Sequence, residues 1–275
     1  MQTFRSIDWN SAWNSDRAKR RRVGDDQEFW NRRAPSFAQH IKEGDRDEYV
    51  DSFLEIVRPQ PEWSVLDVGC GPGTLACPLA RTVRQVTAID FSPVMIDLLK
   101  VRCEKEGISN IVPRLASWED NWQALGVTRH DVAIASRSLN APDPQTSLSR
   151  LISFASQRVY IALPVGSGPF DHRMLQAVGR ETHDNADYIY IYNLLYQMGI
   201  AANISLIERS PETFSGEEAA VDSFRWMIEN MTSAEEEALR RYLSRHLIQD
   251  GERWKLDYHR PVLWAVIWWK IKNGC

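Results

Sequence analysis

Nothing in this 275-residue chain approaches the run of about 18 apolar residues that a membrane-spanning helix needs, so a bilayer-embedded protein is set aside. Cysteine is scarce. The four present, Cys70, Cys77, Cys103 and Cys275, form no CxxC pair, which argues against both a disulfide framework and a zinc site. The opening MQTFRSIDWNSAWNSDRAKRRR lacks the apolar core of a secretory signal, so a cytoplasmic location is expected and no metal is. Charge of one sign is not in excess either: 33 Lys and Arg face 37 Asp and Glu, a net charge of -4. Such a molecule has no overall field that draws in nucleic acid or an anionic membrane. Internal repeats and low-complexity tracts are absent. Tryptophan is abundant, at 11 residues, with Trp9, Trp13, Trp30, Trp264, Trp268 and Trp269 near the two ends. Large aromatics at such density read mainly as packing surface.

Residues 1–60 are charged and helical in pattern. Their basic run, Lys19, Arg20, Arg21 and Arg22, is answered by Asp25 and Asp26, the signature of a solvated helix face more than of a phosphate contact. From Trp63 short apolar runs suited to buried strands alternate with amphipathic stretches. The expected strands are Ser64–Val68, Val86–Asp90, Ile111–Ala116, Asp131–Ser136 and Arg158–Pro164. The expected helices between them are Leu75–Arg81, Pro93–Glu106 and Thr146–Ser156. Right-handed crossovers then give a doubly wound, mostly parallel α/β sheet. Past Pro164 the alternation loosens into Gly166, Gly168, Pro169 and the stretch DYIYIYNLLYQMG. Asn203–Glu208 reads as a strand, Ser215–Leu247 as one helix and Val262–Ile271 as the closing strand. The expected organisation is a helical N-terminal cap over 1–60 and a core over 61–275, with a cap insertion near 165–200. Tyr188, Tyr190 and Tyr192 have strand spacing, yet Tyr196 extends them at helical spacing; a packed face is the default and an aromatic substrate pocket the alternative.

The sharpest local signal is Val65-Leu66-Asp67-Val68-Gly69-Cys70-Gly71-Pro72-Gly73-Thr74. A strand runs into a turn with glycine at every second position, then into a helix. Glycine permits otherwise forbidden dihedrals and lets a ligand approach the backbone closely. Asp90 closes the next strand, where a carboxylate can accept hydrogen bonds from both hydroxyls of a ribose. A dinucleotide fingerprint would place its third small residue at position 74, but threonine stands there, and Pro72 removes an amide donor. The turn is poorly made for a diphosphate and suits a cofactor with an amino acid tail.

DVGCGPGT followed by VTAIDFSPVMI resembles the two leading motifs of the class I S-adenosylmethionine-dependent methyltransferases. The resemblance covers residues 60–165 and implies a seven-stranded sheet whose last strand is antiparallel. It further implies that Asp67 and the backbone of Gly69, Cys70, Gly71 and Gly73 face the methionine part of the cofactor. Asp90 would hold the ribose, with Phe91 and Met95 flanking the adenine. Ser117 stands where the family often has an acid on the adenine amino group; Trp118 by stacking, or Glu119 by its carboxylate, would compensate. Ser136 matches a residue of the transfer cleft. The segment Phe29–Phe37 resembles one that folds over the cofactor in small-molecule members, where Trp30 or Arg33 would touch the methionine end. The cofactor implied is S-adenosylmethionine, leaving S-adenosylhomocysteine.

Methyl transfer from a sulfonium requires alignment and exclusion of water, and a general base only for an acceptor that carries a proton. No motif announces that base. His172, His183, His246, His259 and the three tyrosines are the candidates. There is no Asn-Pro-Pro-aromatic run after the fourth strand, and Cys77-Pro78 reverses the order of a pyrimidine-directed nucleophile. A small-molecule acceptor is therefore expected, with protein, RNA or a non-catalytic regulatory role as alternatives. Nothing in the sequence speaks to oligomeric state.

Overall fold

The structure, a computed structural model, describes residues 6–19, 27–40, 47–139, 141–182, 187–228 and 230–272, without the side chains of 18, 19 and 36–40. Arg20–Arg22, Asp25, Asp26 and His183 lie outside the described residues, as do the side chains of Lys19 and Phe37.

Three helices open the chain: α1 (Trp9–Lys19), α2 (Gln27–His40) and α3 (Glu48–Val57). Asp47 starts α3 by accepting the Tyr49 N–H. The alternating part follows as β1 (Ser64–Val68), α4 (Ala76–Ala80), β2 (Gln85–Asp90), α5 (Pro93–Glu106), β3 (Ile111–Leu115), β4 (His130–Ser136), α6 (Pro144–Ser153) and β5 (Ala155–Pro164). Then come α7 (His172–Ala177), α8 (Tyr188–Gln197), β6 (Asn203–Arg209), α9 (Glu217–Arg225), α10 (Ser233–His246), β7 (Leu247–Asp250), β8 (Arg253–Leu256) and β9 (Val262–Lys270). Among the described residues no helix is long and apolar enough to cross a membrane.

Seven strands form one sheet in the order β3-β2-β1-β4-β5-β9-β6. β1 pairs in parallel with β2 on one side and β4 on the other. β2 with β3, and β4 with β5, are also parallel. Every residue of β1 is buried, as a central strand covered on both faces requires. β9 runs against β5: Val165 N–H donates to Leu263 O at 3.1 Å, while Ile271 N–H donates to Gln157 O at 2.7 Å. The expected antiparallel last strand is thus present. Strand order reverses between β1 and β4, and in open α/β sheets a ligand crevice opens at that reversal, outside the carboxyl ends.

The larger differences from the sequence reading have local reasons. α6 begins at Pro144 because Asp143 caps it, accepting the Thr146 N–H, and β5 consequently begins at Ala155. The expected single helix Ser215–Leu247 is two helices. Asn230 is left-handed (φ 51°), and Thr232 with Glu235 then forms a reciprocal capping box that starts α10. The tyrosine-rich stretch is the helix α8, and Tyr190 meets the rings of Trp9 and Trp13 edge-on at 6.0 and 6.5 Å. Those tyrosines therefore pack on the core with α1.

The chain divides into two units. One comprises Met1–Leu163, Ala186–Ile207 and Trp264–Cys275; the other Pro164–Asn185 and Glu208–Leu263. The segment 165–200 is shared between them. The first holds the sheet and a core that includes Leu66, Ile89, Ala133, Leu148 and Ile161. The second has its own core, with Met174, Phe214, Phe224, Leu239 and Leu243.

Candidate functional site

β1 and β2 end side by side, with Asp67 opposite Ala88 and Val68 opposite Ile89. The chain then leaves the sheet through a turn in which Gly69, Gly71 and Gly73 have φ of 70°, 54° and 86°. An L-residue takes such values only under strain. The turn is held from below: the N–H groups of Gly69 and Cys70 both donate to Ile89 O, at 2.8 and 3.0 Å. It is held from the side by Asp90, whose Oδ2 accepts the Gly71 N–H at 2.9 Å. Asp90 Oδ1 accepts the Ser92 N–H at 2.9 Å, and Ser92 Oγ accepts the Met95 N–H at 3.2 Å to start α5. Asp90 thus shapes the turn as well as ending β2. Its two oxygens offer about four lone-pair directions, more than the amides of Gly71, Ser92 and Phe91 occupy.

Asp67 is the unusual group. It is 2% exposed, and its Oδ2 is buried with no hydrogen-bond partner among the described residues. Burial, and then the charge of Asp90, pushes its carboxyl up to about 7. Burial also raises Asp90 and pushes the Cys70 thiol well up. A buried acceptor without a donor is costly. An orphan carboxylate oxygen at a strand end, beside an open glycine turn, is what a cationic ligand group would satisfy. A methyl placed on Gly71 would have Met95 Sδ, at 4.0 Å, as its nearest neighbour, so the turn has room on that side.

α2 flanks this site. Gln27 Nε2 donates to Phe91 O at 2.5 Å, and Ser92 Oγ donates to Asn31 Oδ1 at 2.6 Å. Residues 27 and 31 lie one helical turn apart, so one face of α2 lies along the start of α5. Neither was singled out in the sequence, although the i, i+4 pair of amides was the available signal. Trp30 meets Phe29 edge-on at 5.4 Å, and Arg33 lies over Phe29 at 5.2 Å. Both therefore have a place in the packing of α2.

After β3 the loop 117–122 folds on itself. Ser117 N–H donates to Asp120 Oδ2 at 2.7 Å, and Ser117 Oγ accepts the Glu119 N–H at 3.2 Å. Trp118 donates its indole N–H to Ser138 O at 3.0 Å and leans on Trp122 at 5.6 Å. Arg150 pins the loop through the carbonyls of Trp118 and Asp120. The acid brought to Ser117 is Asp120; Glu119 is exposed.

β4 ends at Ser136, whose Oγ is 2.5 Å from the hydroxyl of the buried Tyr49. Burial raises the Tyr49 hydroxyl, which opposes a role as a base. Ser138 packs directly on Gly69. Among the candidate bases, His172, His246 and His259 belong to the second unit, where His246 Nδ1 meets Asp257 at 3.1 Å. The described residues contain no group of three or more side chains able to hold a metal ion.

Residues 65–155 match the family described as "Methyltransferase domain". The chain is 32% identical over 244 residues, 88% of each chain, to an uncharacterized protein of Haemophilus influenzae. It is 35% identical over 92 residues to a ubiquinone biosynthesis O-methyltransferase of Xanthomonas euvesicatoria, spanning 34% of this chain and 36% of the other. Among solved structures, magnesium protoporphyrin IX methyltransferase of Synechocystis with bound S-adenosylhomocysteine superposes with a TM-score of 0.51 at 17% identity, over 68% of this chain and 92% of that one. That likeness is one of fold.

Proposed function

The chain belongs to the class I S-adenosylmethionine-dependent methyltransferases, and from that premise we propose that it methylates a small-molecule acceptor. The observation that carries the site is the orphan Oδ2 of Asp67. Two residues before the glycine turn, it fits the ammonium of the cofactor's amino acid tail, with the backbone of Gly69, Cys70, Gly71 and Gly73 completing that end of the site. Asp90, with lone pairs to spare, fits the ribose hydroxyls. Phe91 and the buried Met95 fit the flanks of the adenine, and Ser117, Trp118 and Ser136 the far side. We read α2, which carries Trp30 and Arg33, as the cover of this region.

S-adenosylmethionine supplies an activated methyl on a sulfonium, so the chain's own residues bind, orient and keep water out, and add a base only where the acceptor carries a proton. Asp67 and Asp90 fix the two ends of a nucleoside–amino acid ligand at adjacent strand ends. Ser92, Asn31 and Gln27 tie α2 over that edge. The small-molecule assignment draws support from the charge balance, which provides no overall attraction for a polyanion, and from the likeness to the Xanthomonas O-methyltransferase.

The test supplies S-adenosylmethionine with a low-molecular-mass cell extract, purified RNA or denatured protein in separate reactions, and follows S-adenosylhomocysteine. Turnover confined to the first supports the reading. Turnover with RNA or protein alone moves the acceptor class.

A further inference from the structure

Three non-glycine residues among those described have positive φ: Arg58, Arg137 and Asn230. Two are accounted for by helix ends, since Arg58 terminates α3 and Asn230 shortly precedes the cap of α10. Arg137, at φ 58°, ends no helix. It follows the last residue of β4, and the backbone is held there by its N–H, which donates to Ala162 O at 2.9 Å. Strain retained in this way is a feature of sites where a side chain must point in one direction.

The direction is set by aromatic faces. The Arg137 guanidinium lies over the ring of Tyr49 at 4.2 Å and over that of Trp264 at 5.5 Å. Tyr49 is itself fixed by Ser136 and Trp264 is buried, so the cation rests on a rigid surface. Among the described residues no carboxylate pairs with it, and the residue is exposed. Ring faces engage the plane of a guanidinium and leave its edge, a fork of N–H donors that matches a carboxylate or phosphate, open. Its neighbour Ser138 packs on Gly69, so the backbone that carries this fork adjoins the glycine turn. The carboxylates of Asp67 and Asp90 would repel an anion there, and a fixed cation offsets them.

We propose that Arg137 recognises the methyl acceptor through an oxyanion, a carboxylate or a phosphate, so that the substrate class is anionic small molecules. The proposal rests on the methyl-transfer reading of the same site. The alternative is a clamp that merely ties the end of β4 to α3 and β9.

Calorimetry of the full chain, alone and saturated with S-adenosylhomocysteine, separates these using benzoate, phenyl phosphate and the neutral isostere benzamide as probes. One of the two anions should bind at least about 10-fold more tightly than benzamide, as hydrogen bonds to a charged group allow. Which anion prevails distinguishes carboxylate from phosphate. Arg137→Gln should erase the preference and Arg137→Lys should retain part of it, with S-adenosylhomocysteine bound about equally by all. Arg137→Gly, which suits the backbone, serves if Gln impairs folding. A clamp would lose thermal stability and keep whatever probe preference the wild type has. Equal binding of the three probes by wild type, or a preference that survives in Arg137→Gln, overturns the proposal. Absence of S-adenosylhomocysteine binding would strike the cofactor site instead, and is read in its own titration.

Discussion

Ser138 closes directly onto Gly69. A Cβ added at position 69 would overlap Ser138 Cβ and stand 2.9 Å from its Oγ, and that same Oγ donates to Val68 O at 2.5 Å. The glycine turn is therefore packed against β4's continuation on one side and open on the other, where Gly71 has only Met95 Sδ at 4.0 Å. The two glycines should fail differently when replaced. Gly69→Ala combines left-handed strain with a clash and should cost about 2–5 kcal/mol of stability. Gly71→Ala carries the strain alone, about 1–2 kcal/mol, but places a methyl where we put the cofactor. Thermal unfolding and S-adenosylhomocysteine titration of both variants check this. Full cofactor affinity in Gly71→Ala would move the ligand away from that face.

Asp90→Asn removes a charged acceptor and turns a donor towards the N–H of Gly71 or Ser92. Affinity for S-adenosylhomocysteine should drop by about 10–100-fold, the range expected for lost hydrogen bonds to a charged group. Calorimetry on the folded variant decides. Undiminished affinity would remove Asp90 from the ribose.

Asp67 makes the free protein sensitive to pH. Its carboxyl, ordinarily near 3.8, is raised to about 7 by burial and by Asp90. Between those values the unfolded chain has released this proton and the folded chain still holds it. Stability from this group is thus full below pH 3.8 and declines as pH rises to about 7, by about 4 kcal/mol in all. Asp67→Asn should reduce the decline seen in unfolding experiments across the range, leaving the smaller part that the raised Asp90 contributes. A cationic tail must bind the ionised form, so cofactor affinity should rise with pH up to about 7 and then level. Binding heats measured in two buffers of different ionisation enthalpy should report proton release near pH 6, and none in the Asn variant. Proton release undiminished in Asp67→Asn would assign it to another group.

Asn31 accepts from Ser92 and links α2 to the start of α5. Asn31→Ala should weaken S-adenosylhomocysteine binding by about 5-fold, the equivalent of one ordinary hydrogen bond. Cofactor should also protect α2 from protease in the wild type and less in the variant. If neither affinity nor protection changes, α2 is only a flank.

Much of the cofactor half was legible because its signals are local. Alternating glycines after Val68 and an acid closing VTAID depend on neighbours within a few residues, and the helix Pro93–Glu106 was bounded by Ser92 and Gly107, a cap at each end. The helix break at Asn230–Thr232 was equally local, and the Thr-Ser-Ala-Glu capping box was there to be read inside an otherwise helical pattern. Tyr49 escaped altogether, while Asn31 and Arg137 lie in stretches that the family resemblance marks, 29–37 and 136–139, without anything nearby to show what each side chain does. Each acquires meaning from a partner far away: Ser136, Ser92, and the rings of Tyr49 and Trp264.

The sequence by itself determined the parallel α/β core, the glycine turn and the acid that faces it, since dihedral freedom, strand burial and strand–helix alternation are written in short stretches. Tertiary structure alone decided that Asp67 Oδ2 would be left without a donor among the described residues and that Arg137 would lie on aromatic faces. Charge state and hydrogen-bond vacancy are set by what surrounds a group in space, and β1, β4, α3 and β9 meet only once the sheet has closed.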